Sequence, residues 1–92
     1  MTIYPHTSYL RAVKRIPKGE HSDIYAAVSR LPEILGNPHQ HSGAGIRRLY
    51  QGVFEVRAGL RLRIVFTVHG ENVFLHTVGD HDHVREWLRN NL

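Results

Sequence analysis

Five arginines and one carboxylate crowd a single stretch of this 92-residue chain. Arg47, Arg48, Arg57, Arg61 and Arg63 fall in a window whose only acid is Glu55, so the window carries +4. That equals the net charge of the whole molecule at pH 7, because cations and acids balance everywhere else. Ten of the twelve cations are arginine, the rest being Lys14 and Lys18. A guanidinium presents a planar fork that matches phosphate in two-pronged contacts, which a lysine ammonium does not. Charge confined in this way points to a polyanion such as nucleic acid. It is equally the charge of a solvated basic face or of a docking surface for an acidic protein.

The second concentration is imidazole. The chain has eight histidines, and two of them sit in the run Asp80-His81-Asp82-His83. Histidine is the side chain whose ordinary pKa lets it give and take protons near neutrality. Phosphate clamps beside a proton carrier are the parts needed for RNA cleavage. RNA brings its own nucleophile, the 2′-hydroxyl, and the protein has to align it, neutralise the charge developing on phosphorus and manage two protons. Arginine can do the second task but stays charged, so histidine or a carboxylate must do the third. Plainer roles compete at each position. Arg57 or Arg63 can pair with Glu55 across strands, His81 can make a structural hydrogen bond at a helix start, and Asp80 or Asp82 can cap that helix. Histidines two apart on an extended segment can also ligate a metal, together with Asp82 and His76. No thiolate and no HExxH spacing accompanies them, so no metal and no cofactor is expected.

What is missing narrows the class further. There is no cysteine, which removes disulfides, thiolate metal sites and cysteine nucleophiles together. No apolar run is long enough to span a membrane, and the N-terminal residues do not read as a secretory signal. The expectation is a single domain over 1–92, cytoplasmic, with no membrane partner.

Periodicity supplies the elements that must hold these groups. Leu10, Val13 and Ile16 recur at spacings of three behind Ser8, a residue suited to cap a helix, and Pro17 and Gly19 end it. Ile24, Val28, Leu31 and Leu35 make one stripe of a second helix from about residue 22 to 35, in which Pro32 is expected to kink or shorten the helix. Residues 38–45 read as a loop carrying His39 and His41. Ile46 to Tyr50 is a first strand. Then Val53 to Ala58 alternates, with Phe54 and Val56 on one face and Glu55 and Arg57 on the other. After a turn at Gly59-Leu60, Leu62, Ile64, Phe66 and Val68 alternate with Arg61, Arg63, Val65 and Thr67. A turn at Gly70 to Asn72 leads to a last strand, Val73 to Val78. Val84, Trp87 and Leu88 define a short closing helix. The expected architecture is α+β: an N-terminal helical hairpin packed on a three- to four-stranded antiparallel sheet, with a further short strand near Ile3 as an alternative, and a short C-terminal helix. With helices on the apolar face, the arginine-bearing face stays open, and a meander carries the end of the last strand toward Arg63.

The segment from Ile46 to Val84 resembles the RelE/ParE superfamily of bacterial toxins. The resemblance rests on Arg48-Leu49 followed by Gly52, then Phe54-Glu55-Val56-Arg57, then Gly59 to Arg63, then Val78-Gly79-Asp80-His81, in that order and spacing. It implies a toxin of a type II toxin–antitoxin system, an mRNA interferase. Such a protein is an endoribonuclease that cuts mRNA on the ribosome and inhibits translation, without metal. Its partners would be a cognate antitoxin, mRNA and the ribosome, with operator DNA reached only through the antitoxin. By the same resemblance Arg57 and Arg63, with Arg61 beside them, grip the phosphate and His81 serves acid/base chemistry, so Arg57, Arg63 and His81 are the expected catalytic residues; Arg47, Arg48, Arg61, His83 and Arg85 are the candidates for binding RNA phosphates. The chain departs from the pattern in having no tyrosine after Tyr50, where many members use one near the C-terminus. That departure keeps open a ParE-like DNA gyrase poison, or a degenerate member that only binds antitoxin or operator DNA.

Overall fold

The computed structural model of the protein describes residues 1–36 and 45–92, so His39 and His41 and most of the loop read around them lie outside it. In chain order the elements are β1 (Thr2–Pro5), α1 (Thr7–Arg15), a short 3-10 turn (Lys18–Glu20), α2 (His21–Leu35), β2 (Ile46–Tyr50), β3 (Val53–Ala58), β4 (Leu62–His69), β5 (Asn72–Gly79) and α3 (His81–Asn91). The strands form one sheet in the order β1-β5-β4-β3-β2. The meander β2 to β5 is antiparallel as expected, but the sheet is five-stranded and mixed, because the segment around Ile3 adds to β5 in parallel. The two strands of that parallel pair are separated in the chain by both hairpin helices and the strands β2 to β4.

One sheet face carries the main core. Val56, Ala58, Leu62, Ile64, Phe66, Val73, Leu75 and Val78 pack against Tyr9 and Ala12 of α1 and Ile24, Ala27 and Leu31 of α2. Each large aliphatic or aromatic side chain so buried contributes about 1.5–3 kcal/mol over leaving it in water. In α2 the expected stripe holds, with Ile24 and Leu31 fully buried and Val28 and Leu35 at its margin. The helix runs through Pro32 to Leu35 rather than stopping there. Proline in the last turn forfeits one backbone bond near the helix end, where the remaining groups are unpaired in any case.

The α1 stripe departs from expectation at one member: Val13 and Ile16 pack at the margin of the core, but Leu10 is 49% exposed while Tyr9 and Ala12 are buried. The reason lies at the helix start. His6, not Ser8, is the N-cap, its ring accepting from the Ser8 backbone N–H, and the Ser8 hydroxyl instead donates to the His76 carbonyl on β5 at 2.6 Å. That tie turns the Ser8 side of the helix to the sheet.

A second correction concerns the other sheet face, which is not left bare. There Val84 of α3 forms a smaller core with Val53 and Val65, joined by Leu49, Trp87 and Leu88. The helices therefore lie on both faces, with α3 over β5 and β4. Asp80 caps α3, accepting from the His83 N–H at 2.9 Å. No helix among the described residues is long and apolar enough to cross a membrane.

Candidate phosphate-binding groove

Register across three strands assembles the arginines. Gly59, at φ 69°, starts the β3–β4 turn in a conformation that favours glycine. Its close neighbour is Asp23 of α2, whose carboxylate would collide with any Cβ placed there. The ladder that follows pairs Ala58 with Leu62, Arg57 with Arg63 and Glu55 with Val65. Alternation then puts Glu55, Arg57 and Arg63 on the α3 side of the sheet. On the neighbouring edge strand Arg47 is opposite Glu55. Arg63 in turn is opposite Gly79 at the end of β5, two residues before His81.

The helix α3 walls this patch. His81, Arg85 and Leu88 fall at i, i+4 and i+7, along one edge of the helix. Leu88 packs against the small core of Val53, Val65 and Val84, so α3 lies on the sheet face that bears Glu55, Arg57 and Arg63. The face of β2, β3 and β4 beside α3 is the candidate groove. Arg47, Arg57, Arg63 and Arg85 contribute four positive charges and Glu55 one negative.

Glu55 is the anchor of the groove. It is only 4% exposed, and a carboxylate so buried has to be paired. Arg63 Nε forms an ion pair with Glu55 Oε2 at 2.9 Å, and Arg47 Nε lies 4.0 Å from Oε1. This holds Arg63 in place, leaving a part-exposed guanidinium with donors beyond the one Glu55 takes. Arg57 is exposed and has no carboxylate partner among the described residues. Its backbone is fixed by the Arg57 N–H donating to the Gly45 carbonyl at 3.1 Å. His81 is exposed at the first position of α3.

Three of the residues read from the sequence go elsewhere. Arg48 pairs with Phe54, whose ring stacks on Phe66 in the main core, so Arg48 belongs to the opposite sheet face and its Nε donates to the Tyr50 carbonyl. Arg61 leaves the strand and reaches across to the helical hairpin. Its Nη2 and Nε donate to the two oxygens of Glu20 at 2.7 and 3.2 Å, and its Nη1 lies 3.8 Å from Asp80 Oδ2. Those bonds hold the Glu20 carboxyl below its ordinary pKa and raise that of Arg61. His83 lies on the other flank of α3. Its Nε2 shares a hydrogen bond of 2.7 Å with the buried Thr77 hydroxyl, and its ring rests against Gly79 where a Cβ would overlap it. Together with Arg15, Arg61 and Asp80 it lines a separate cleft of about 350 Å³.

Sequence reasoning passed over Glu20 and Thr77, and no local signal marks either. Glu20 and Arg61 are 41 residues apart, and nothing in the spacing of either predicts the pair. The chain also places His76 at a bulge in β5, since Phe66 pairs with Leu75 and Val65 with Thr77. Its ring shares a hydrogen bond with Thr67 at 2.8 Å and packs near Trp87. Burial pushes its pKa below the ordinary value, and His6 and His69 nearby lower it further. No group of three His, Asp or Glu side chains among the described residues is gathered as a metal site would need.

This five-stranded mixed sheet between a helical hairpin and a C-terminal helix is a fold shared with solved toxin structures. The chain is similar to the RelB–RelE antitoxin–toxin complex of Methanococcus jannaschii, at 14% identity over 91% of this chain and 96% of that one, with a TM-score of 0.68. It is similar to YafQ from E. coli strain BL21(DE3), at 13% identity over 89% and 94%, with a TM-score of 0.58. It is also similar to the toxin–antitoxin complex RelBE2 of Mycobacterium tuberculosis, at 21% identity over 87% and 96%, with a TM-score of 0.53. At such identities the likeness is one of fold, and it agrees with the resemblance carried by residues 46–84. No protein-family model and no curated protein matches the sequence.

Proposed function

We propose that this chain is the toxin of a type II toxin–antitoxin pair and acts as an endoribonuclease on mRNA at the ribosome. The observation that carries this reading is the pair Arg57 and Arg63, opposite each other on one sheet face, with His81 beginning the helix that borders them. Arg57 and Arg63 bind the non-bridging oxygens of the scissile phosphate. The adjacent 2′-oxygen attacks phosphorus, the bond to the 5′-oxygen breaks, and the products are a 2′,3′-cyclic phosphate and a 5′-hydroxyl. As the phosphorane forms, its extra negative charge develops between two guanidiniums that are already in position. Glu55 is not free to act as a base, since it is buried and paired with Arg63. Among the residues named here His81 alone carries an imidazole, so it carries proton transfer at one of the two reacting oxygens. Solvent at the open groove serves the other.

A cognate antitoxin fits the same reading. Two of the similar structures are antitoxin–toxin complexes, and a groove of four arginines and one acid suits an acidic segment as well as it suits RNA. Operator DNA would be reached through that partner, in the cytoplasm.

The test is induction of wild type, Arg57→Ala and His81→Ala in a bacterial host, with message cleavage mapped by primer extension. Wild type should arrest growth with cuts in messages, the variants should cut at least tenfold less, and coexpressed antitoxin should restore growth. Growth arrest with intact messages would refute the proposal. If purified protein then also inhibits gyrase supercoiling, the ParE-like alternative that the missing tyrosine keeps open takes its place.

A further inference from the structure

The β3–β4 turn is clamped from two directions. Asp23 of α2 is packed against Gly59. Arg61 grips Glu20 with two hydrogen bonds and reaches Asp80 with its remaining nitrogen. Asp80 is the N-cap of α3, and its two oxygens are divided between tasks. Oδ1 accepts from the His83 N–H at 2.9 Å, and Oδ2 faces Arg61 at 3.8 Å. The residue after Asp80 is His81. The turn itself ends the two strands that carry Arg57 and Arg63. Arg61 thus links the arginine hairpin to the N-cap of α3 and, through Glu20, to the helical hairpin.

We propose that Arg61 is a positioning residue, which sets where His81 stands relative to Arg57 and Arg63 by orienting Asp80, and is not a phosphate ligand. The role rests on the ribonuclease reading above. The physical case is that Arg61's fork is already filled by a carboxylate, so RNA would have to displace Glu20 to use it. A planar guanidinium also transmits orientation, since two parallel bonds to Glu20 fix its plane and leave the third nitrogen aimed at Asp80. The carboxylate so oriented sits at the helix N-terminus, where the unpaired N–H groups and the dipole favour a negative charge. A small rotation of that cap moves His81 directly.

Single-turnover message cleavage on programmed ribosomes, together with the imidazole ¹H–¹³C resonances of His81, tests the assignment. Arg61→Ala should lower the maximal rate constant about ten- to a hundredfold, the cost of slight misplacement of a reacting group. The half-saturating ribosome concentration should stay within about twofold, as expected when ground-state binding is untouched. The His81 resonances should shift in Arg61→Ala and in Glu20→Gln. They should stay in place in Leu60→Ala, a control at the fully exposed neighbour in the same turn. Asp80→Asn, which keeps a capping oxygen but loses the charge, should be non-additive with Arg61→Ala. A raised half-saturation point with an unchanged rate constant would make Arg61 a phosphate ligand and overturn the proposal, as would unshifted His81 resonances. Should Arg61→Ala not fold, Glu20→Gln loosens the same link from its surface end. Intact messages with wild type would instead refute the ribonuclease reading, and the spectra alone would still decide whether Arg61 positions His81.

Discussion

Arg57 and Arg63 face each other directly across the β3–β4 ladder, two like charges at one cross-strand position. Such a pair costs stability. Arg63 is offset by Glu55 beneath it, while Arg57 has no such partner among the described residues. The arrangement opposes folding and suits an anion brought by a ligand. Arg57→Ala should therefore raise stability by about 0.5 kcal/mol and abolish RNA cleavage at the same time. Thermal melts beside cleavage assays check both; loss of stability would mean that Arg57 has a structural partner.

Glu55→Gln separates anchoring from charge. The amide keeps the shape but leaves the part-buried Arg63 without its counter-charge, while Arg47 is exposed to water. Stability should fall by about 2 kcal/mol. RNA affinity should rise and its salt dependence steepen, since the groove gains one net positive charge. Cleavage should fall nevertheless, because Arg63 is no longer held. Denaturant titrations and filter binding at several salt concentrations provide the readouts.

Gly79→Ala probes the seat of α3. A methyl group there would overlap the His83 ring and break its bond to Thr77. Overpacking of this kind costs about 1–3 kcal/mol, and displacement of the helix start should reduce cleavage beyond what the stability loss explains. Unchanged activity in a folded variant would show that the start of α3 tolerates movement.

Acid should weaken the fold through His76. Its folded pKa is lowered by burial, then by His6 and His69, so the unfolded chain takes up a proton first as pH falls below the ordinary 6.5. Stability is therefore complete above that pH and declines below it until the folded-state pKa is passed. His76→Gln, which can still bond to Thr67, should show a smaller fall in melting temperature than wild type between about pH 7.5 and pH 5. An equal fall would assign the acid sensitivity to other groups.

Much of the groove is written locally. Strand alternation is a property of each strand by itself, so the period-two pattern from Val53 to Thr67 sufficed to place Glu55, Arg57 and Arg63 opposite the apolar face. The Asp80 cap is equally local, because a cap bonds to the N–H three residues on. The stripe of α2 needed only helical period, and the turn at Gly59 only a residue tolerant of positive φ.

What sequence alone determined, then, is the content of each element and the face on which its charges lie, since both follow from backbone geometry over a few residues. Tertiary structure alone decided which face each helix covers and where long side chains end. Leu10 lost its expected burial to Tyr9 because Ser8 found a carbonyl on β5. Arg61, identical in type and nearly in position to Arg63, was drawn out of the groove by a carboxylate 41 residues away. An arginine's reach exceeds the spacing of neighbouring elements, so its partner is set by packing and not by its own stretch of chain.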